Sequence, residues 1–385
     1  MYDRDTAMLE KYDLTVKNIR KVRGGWLCIA SEGLFLWKES VSGEERLDLE
    51  DCICRKTEEM GLAHIWSCAG GSGRLRMDRF VRNKEGNLLT ADDFGRKFVL
   101  KEWTEGHECD VRNKEDLFNG ARAAACMHQI LRAADLKLQN AESAVRKTSS
   151  SEKPALEQSA SEVSDLEQSV SEVSDLKQSV SKPSASLAFQ ESYLQLWERR
   201  KREICRISGF VRKRRNKNAL EQLIMKETPY YLAQAQAAID LFQAISGKLG
   251  VQRQICHGDF HYHNLVYGKQ ESWICQSSRF QRGYQIADFY LFLRKCMEKQ
   301  DFNWQLAKAL MEFYQKYCPV TREEGALLYC LFLFPEKYWK QLNFYAQSNK
   351  AWMPEKNVVK LRNVINQEEK RQVFLENLHR LILPF

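Results

Sequence analysis

The alternation of apolar and polar positions predicts a strand-rich first quarter of the chain. The run Trp26–Lys38 consists of two apolar stretches separated by the turn Ser31–Gly33, which is the pattern of a β-hairpin. Phe98–Trp103 predicts another strand, and two further strands are expected at Ala63–Ser67 and Arg74–Val81. This part of the chain is therefore expected to form an antiparallel sheet.

Beyond this region, apolar residues recur at helical spacing, and one helix is predicted within the first region as well. Gly61 is expected to end that first helix. The predicted helices are Glu44–Met60, one from about Lys114, Ser192–Cys205, Asn218–Leu249, Gln285–Lys299, Asn303–Tyr317, Glu323–Phe332, Tyr338–Ser348 and Glu355–Ile382. The order predicts an α+β fold of two lobes, with a small antiparallel β-rich N-lobe over residues 1–103 and a larger, mostly helical C-lobe over residues 104–385.

A segment of different composition, residues 137–185, interrupts the second lobe. The ten residues Leu156–Asp165 recur almost unchanged at Leu166–Asp175, and again in degraded form from Leu176. Such a repeat, rich in Ser, Glu and Gln, has too few apolar residues to bury a core. We expect a disordered or loosely helical insertion. A coiled coil is the alternative, but the repeat length is neither seven nor eleven.

The composition agrees with a folded protein of two lobes. The chain has 385 residues, of which 44% are hydrophobic, enough for two substantial cores. No run of about eighteen apolar residues predicts a membrane span, and the charged N-terminus does not have the pattern of a secretory signal. Twelve cysteines without a Cys-x-x-Cys pair are typical of reduced, mostly buried thiols.

The net charge of +8 favours anionic partners without identifying one. The densest basic run extends from Arg199 to Lys217. It could bind nucleic acid, or it could be the solvated face of a helix. Four apolar residues interleave with it at helical spacing and favour the solvated face: Trp197, Ile204, Ile207 and Phe210. We therefore expect neither a nucleic acid nor a membrane as partner.

The segment 255–267 carries the clearest chemical motif, a tight loop between two short buried strands. His257, Asp259 and Asn264 fit the kinase catalytic-loop form H-R-D-x-x-x-x-N, with Gly258 in the second place. Phosphoryl transfer uses such a pair, because the Asp orients or deprotonates the attacking hydroxyl while the Asn holds a magnesium ion. The motif predicts a phosphotransferase-type loop.

Two other interpretations of this loop are open. His257, His261 and His263 alternate with other residues and adjoin Cys256, as ligands on a metal-binding strand would. A metal site also needs residues from elsewhere to close its geometry. Alternatively, the segment is a polar turn whose Asp259 caps neighbouring amides.

Lys38, at the end of an apolar strand, is a candidate for the lysine that reaches the nucleotide phosphates in kinases. Its alternative role is that of a surface lysine whose stem lies on the strand end. Glu50 or Glu58, on the following helix, could pair with it, and the spacing does not choose between them.

The connection after the strand Phe98–Trp103 is a candidate adenine site. It is a short polar crossing that leads into a helix, as between the lobes of a kinase. The backbone of Glu102, Trp103 and Thr104 is then expected to meet the adenine edge.

Taken together, these stretches resemble the spore coat protein S (CotS) family, a branch of the aminoglycoside phosphotransferase and choline kinase group. The resemblance rests on Phe35–Glu39, Val99–Gly106, Cys256–Asp259, His263–Asn264, Ala287–Tyr290, Leu293–Lys295, Met297–Lys299 and Trp304. It implies a protein kinase-like fold with ATP and Mg²⁺ as cofactors. It also implies synthesis in the mother-cell cytoplasm, location in the spore coat, and other coat proteins as partners.

The resemblance also implies roles for individual residues. Lys38 becomes the phosphate lysine, Asp259 the catalytic Asp and Asn264 a magnesium ligand. His257, in the same motif as Asp259, is grouped with it as a catalytic candidate. Asp288 becomes a carboxylate that supports the loop from the following helix.

One part of the kinase pattern is missing. The second metal-binding Asp should fall at Gln276 or Ser277, yet no acidic residue occurs between Ser272 and Ala287. Gly24–Gly25 is only a weak counterpart of a phosphate loop. We therefore hypothesise a structural or binding protein with impaired catalysis. The alternative is an active phosphotransferase that uses Asp259 on a small-molecule or protein hydroxyl.

Overall fold

The computed structural model describes residues 4–22, 24–149, 191–247, 253–276, 279–347 and 355–382. Its N-terminal part begins with a short 3₁₀ helix, Arg4–Lys11. The strands of this part are β1 (Val16–Val22), β2 (Gly25–Ala30), β3 (Leu34–Glu39), β4 (Arg74–Met77), β5 (Phe80–Val81), β6 (Thr90–Ala91) and β7 (Lys97–Trp103). Two helices, α1 (Glu44–Glu59) and α2 (Leu62–Cys68), lie between β3 and β4.

The N-terminal sheet has the order β1-β2-β3-β7-β5, and β6 pairs with β7. All its pairings are antiparallel. Its core contains Trp37, whose ring stacks on Phe98 with 5.1 Å between ring centroids and meets the edge of Tyr12. Apolar residues at alternate positions of β3 and β7 thus close one face of the sheet.

A second sheet forms where the two lobes meet. Its strands are β4, β8 (His107–Glu108), β10 (Leu265–Tyr267) and β11 (Glu271–Ile274), in the order β4-β11-β10-β8. A separate pair joins β9 (Gln254–Cys256) to β12 (Gln281–Gly283). Because β4 pairs with β11 and β5 pairs with β7, the chain passes from one sheet to the other around Asp78.

The rest of the described chain is helical. Its helices are α3 (Lys114–Ser149), α4 (Tyr193–Lys213), α5 (Ala219–Ser246), α6 (Gln285–Met297), α7 (Trp304–Tyr317), α8 (Arg322–Leu333), α9 (Glu336–Gln347), α10 (Glu355–Asn366) and α11 (Glu368–Ile382). The large core includes fully buried Phe292, Leu310 and Leu327 from three of them. This architecture confirms the predicted α+β, two-lobed fold. Among the residues described, no helix is long and apolar enough to cross a bilayer.

Two of the predicted strands are wrong: one segment is a helix and the other is divided between two sheets. Ala63–Ser67 lies in α2, where Leu62 and Trp66, four residues apart, are buried on one face. A short apolar run fits both the two-residue period of a strand and the 3.6-residue period of a helix. Gly61, with φ of 90°, turns the chain from α1 directly into this second helix. Arg74–Val81 is not one strand, because β4 and β5 belong to different sheets.

The single C-terminal helix predicted over Glu355–Ile382 is also wrong. The chain breaks between α10 and α11 because the two halves bury different apolar faces. Leu361 packs in a small core with Ile224 and Tyr231, whereas Phe374 and Leu378 join the large core. The break at Gln367 allows both contacts.

The basic run lies on α4 and the loop that follows it. Trp197, Ile204 and Ile207 are buried as their spacing predicts, but Phe210 is 59% exposed because Val211 occupies the inner face instead. Helix α3 continues through the start of the predicted insertion to Ser149, and the ten-residue repeat lies outside the described residues.

Candidate active site

The loop between β9 and β10 is held by Asp288, in the first turn of α6. The backbone N–H of His257 donates to Asp288 Oδ2 at 2.7 Å, and that of Gly258 donates to Oδ1 at 2.9 Å. Gly258 adopts φ of 80°, and a Cβ there would lie 2.2 Å from the carbonyl oxygen of Arg279. A glycine is therefore required at the turn that presents Asp259.

His257 is buried beneath this turn, with both ring nitrogens engaged by backbone groups. Its Nε2 lies 3.2 Å from the Cys275 carbonyl oxygen, and the N–H of Asp259 donates to Nδ1 at 3.3 Å. Burial lowers the pKa of the imidazole. A neutral ring that donates from Nε2 fits both contacts. The structure thus places His257, a predicted catalytic candidate, beneath the turn with its ring between two backbone groups.

Asp259 is partly exposed, and the buried Asn264 contacts its backbone. The Asp259 side chain is 24% exposed; one carboxylate oxygen is 3.4 Å from His261 Nε2 and the other is 3.7 Å from Arg279 Nη1. Asn264 donates from Nδ2 to the Asp259 carbonyl oxygen at 2.8 Å. With its amide nitrogen so used, the oxygen Oδ1 is the Asn264 atom suited to a cation.

Lys38, on β3, reaches the segment that follows β11. Its Nζ donates to Oε1 of Gln276 at 2.7 Å, and Gln276 adopts a left-handed φ of 63°. Burial lowers the pKa of Lys38, nearby Lys101 lowers it further, and Asp78 opposes the shift. The N–H of Cys275 donates to the Asn264 carbonyl oxygen at 2.7 Å. The structure thereby connects the Lys38 contact to the catalytic-type loop.

Neither glutamate considered as a partner of Lys38 forms an ion pair with it among the contacts of the described residues. Buried Glu50 accepts from Arg46 Nε at 2.7 Å, and Glu58 accepts from Arg76 and Arg79. Lys38 instead contacts the neutral amide of Gln276, one of the two positions considered for the missing carboxylate. Ser277, the other position considered for the missing Asp, lies outside the described residues.

A buried ion pair that the sequence reasoning missed lies behind Lys38. Lys101 Nζ is 2.8 Å from Asp78 Oδ2, and each side chain is 1% exposed. The same oxygen accepts from the backbone N–H of Gln276 at 2.9 Å. The position of Lys101 in the middle of the apolar strand Phe98–Trp103 could have indicated this pair, because a buried lysine needs a buried counter-charge.

The predicted adenine segment lies at the end of β7. The N–H of Glu102 donates to the Arg79 carbonyl oxygen at 2.9 Å, and its carboxylate pairs with Arg76 and Arg79. Trp103 packs against the small cluster of Val266, Trp273 and Cys275. Thr104 follows the strand, and its hydroxyl donates to the Glu105 carbonyl oxygen. The Glu102 amide is thus already bonded within the protein.

The oxygens at this site fit a kinase-type magnesium site only in part. Asp259 supplies one carboxylate, whereas Asn264 and Gln276 supply neutral oxygens, and Lys38 already binds the Gln276 oxygen. Magnesium in phosphotransferases is held by one or two carboxylates and the phosphates. Within the described ranges, no group of three or more His, Cys, Asp and Glu side chains is placed to hold a metal ion. The alternating histidines therefore do not form such a site.

Comparisons with known proteins identify the family and the fold. The family described as "Spore coat putative kinase YutH" matches residues 121–378, about two thirds of the chain, which confirms the predicted spore coat resemblance. No curated protein matches the sequence significantly.

Solved structures show the same fold at low identity. An aminoglycoside phosphotransferase from Alicyclobacillus acidocaldarius is similar with a TM-score of 0.72 and 16% identity, covering 99% of this chain and 96% of that one. A spectinomycin phosphotransferase bound to ADP and spectinomycin has a TM-score of 0.53 and 8% identity, covering 95% and 97%. A microcompartment-associated aminopropanol kinase has a TM-score of 0.54 and 12% identity, covering 98% and 98%.

Proposed function

Because the chain belongs to the YutH family of spore coat kinases, we propose that it is a kinase-fold coat protein that binds nucleotide and transfers phosphoryl groups poorly or not at all. One observation carries the proposal: Lys38, the candidate phosphate lysine, contacts the neutral amide of Gln276, one of the two positions where a second metal-binding carboxylate is expected. Asp259, the carboxylate at the site, is the group expected to orient the attacking hydroxyl, so a magnesium ion lacks its main charged protein ligand.

The proposal includes nucleotide binding between the lobes. It is supported by the likeness in fold to a spectinomycin phosphotransferase whose structure contains ADP, and by the cation of Lys38 near the loop. Location in the coat rests on the family description. Other coat proteins as partners are a further part of the proposal.

The second candidate function is a working ATP-dependent phosphotransferase. It is favoured by the arrangement of Lys38, Asp259 and Asn264, which are linked through Gln276 and Cys275. In this mechanism Asp259 would accept the proton of a small-molecule or protein hydroxyl.

Thermal unfolding with ATP or ADP, with and without magnesium, separates the two candidates. A ligand at about one hundred times its Kd raises the free energy of unfolding by about 2.7 kcal/mol. We expect a stabilisation that is similar with and without magnesium and is lost in Lys38→Ala. Magnesium-dependent stabilisation, with phosphoryl transfer that disappears in Asp259→Ala, would instead establish the phosphotransferase. No stabilisation at millimolar nucleotide would contradict both.

A further inference from the structure

A cavity of about 160 Å³ lies beside the catalytic-type loop, on the side of the helical lobe. Gly258 and Asp288 form one wall, so the cavity adjoins the turn that presents Asp259. The other walls come from α4, α6, α9 and the connection between α8 and α9. Four aromatic side chains line it: Tyr193, Trp197, Tyr290 and Phe334. Its walls therefore offer flat apolar surface next to the loop.

Two arginines in these walls have a donor that the described residues leave unused. The Arg294 side chain is 8% exposed; its Nη1 pairs with Glu298, and its buried Nε has no hydrogen-bond partner. Arg200 pairs through Nη1 with Glu336, and its buried Nε likewise has no partner. A buried N–H without an acceptor costs about 1–3 kcal/mol. Both arginine side chains also line the cavity, so their guanidinium groups lie close to any acceptor bound there.

The charges around the cavity favour an anion as that acceptor. Arg200, Arg294 and Lys340 line it against two carboxylates. A third carboxylate, Glu298, pairs with Arg294 from outside the lining and is shared with Lys337. Asp288 already accepts hydrogen bonds on both of its oxygens, and Glu336 is shared between Arg200 and Lys340, whose Nζ lies 3.1 Å away.

A fourth cation, Lys295, adds to this positive region. Burial lowers its pKa to about 8, Asp259 opposes the shift, and Arg294 and Lys340 lower it further. Lys295 therefore lies within electrostatic reach of both the loop carboxylate and the cations of the cavity.

We propose that this cavity binds a small anionic molecule, an oxyanion carried on a flat apolar body, beside Asp259. Arg200 and Arg294 would donate to the oxyanion, and the aromatic walls would contact the body. A phosphate monoester and a carboxylate share this chemistry. The inference goes beyond the proposed function because it requires neither nucleotide nor phosphoryl transfer.

Calorimetric titration of the full chain without nucleotide tests the proposal. The probes are phenyl phosphate, benzoate and neutral phenol. We expect at least one of the two anions to bind, and the tighter one identifies the preferred class, phosphate ester or carboxylate. Phenol should bind at least tenfold more weakly than that anion. Arg200→Gln should weaken anion binding about tenfold or more, as expected for loss of a hydrogen bond to a charged group.

Arg122→Gln is the matched control. Arg122 also has a buried Nε without a partner, but it packs on Trp66 and Phe313 away from the cavity. Its variant should bind the anion as the native protein does. Lys340→Gln, at a partly exposed position, gives a second variant if Arg200→Gln does not fold.

Three results would overturn the proposal: no anion binding at millimolar concentration, equal binding of phenol, or an equal loss in Arg122→Gln. None of these measurements contains nucleotide. A negative result for anion binding is therefore distinguishable from a failure of nucleotide to bind at Lys38.

Discussion

At the scale of single residues, the contact between Lys38 and Gln276 decides how the site is interpreted. A carboxylate at residue 276 would lie next to a cation and complete the charge that a magnesium ion needs, whereas an amide satisfies Lys38 without attracting the ion. The left-handed backbone at Gln276 is also one that Asp or Asn tolerates better than most residues. One substitution can therefore test the missing charge.

We expect Gln276→Asp to make nucleotide binding dependent on magnesium, with affinity for ATP about tenfold higher in its presence, or ~1.4 kcal/mol. The physical reason is the added carboxylate beside Lys38. Titration calorimetry with and without magnesium measures the affinity for ATP. Gln276→Asn, of the same size and without charge, is the control. The idea fails if both variants respond to magnesium alike.

At the scale of elements, neighbouring segments hold the catalytic-type loop in addition to its own hydrogen bonds. Asp288 from α6 holds two of its amides, and the carbonyl of Arg279 lies where a side chain at residue 258 would be. His263, at the other end of the loop, contacts Glu108 of β8 at 2.8 Å between Nδ1 and Oε2. The loop is thus fixed to both the helical lobe and the connection between the lobes.

We expect Gly258→Ala to lower the free energy of unfolding by about 2 kcal/mol or more, because the left-handed backbone alone costs an alanine roughly 1–2 kcal/mol. The contact with the Arg279 carbonyl adds to that cost. Urea unfolding measures the change. Gly209→Ala, in α4 with no atom within 4 Å of the added Cβ, should be neutral or stabilising by up to about 1 kcal/mol. Equal stabilities of the two variants would contradict this account.

At the scale of the whole molecule, Asp78 connects the two sheets. Its backbone N–H donates to the Ile274 carbonyl in the second sheet, while its carboxylate binds Lys101 in the N-terminal sheet. Lys101 Nζ also lies 4.2 Å from the centroid of the Phe80 ring. The buried pair thereby links the lobes directly behind the contact of Lys38 with Gln276.

We expect Lys101→Met to lower the free energy of unfolding by about 3–5 kcal/mol, because it removes the cation that is ion-paired with the buried Asp78 carboxylate. The double variant Lys101→Met/Asp78→Asn should recover part of the loss, since the buried charge is removed and the amide oxygen can still accept from Gln276. Guanidinium unfolding of the single and double variants measures the coupling. A loss below about 1 kcal/mol in Lys101→Met would show that the pair does not support the junction.

The sequence by itself determined the order of elements and the catalytic-type loop. Both depend on short-range patterns: the hairpin Trp26–Lys38 on alternating apolar runs, and the loop on the spacing of His257, Asp259 and Asn264. The lobes followed from these elements and their order, and the spore coat family followed from local motifs. These features could be predicted because each is contained within a short stretch of chain.

Only the tertiary structure decided the contacts between distant segments. The pairing of Lys38 with Gln276 rather than Glu50 or Glu58, and of Lys101 with Asp78, joins residues from 23 to 238 positions apart. The helix at Ala63–Ser67 was decided in the same way, because its short apolar run was ambiguous and packs into the large core as a helix. The break between α10 and α11 follows from packing of the two helices against separate cores. Local pattern sets which faces are apolar, whereas the counter-charge and the neighbour of each face are determined by how the whole chain packs.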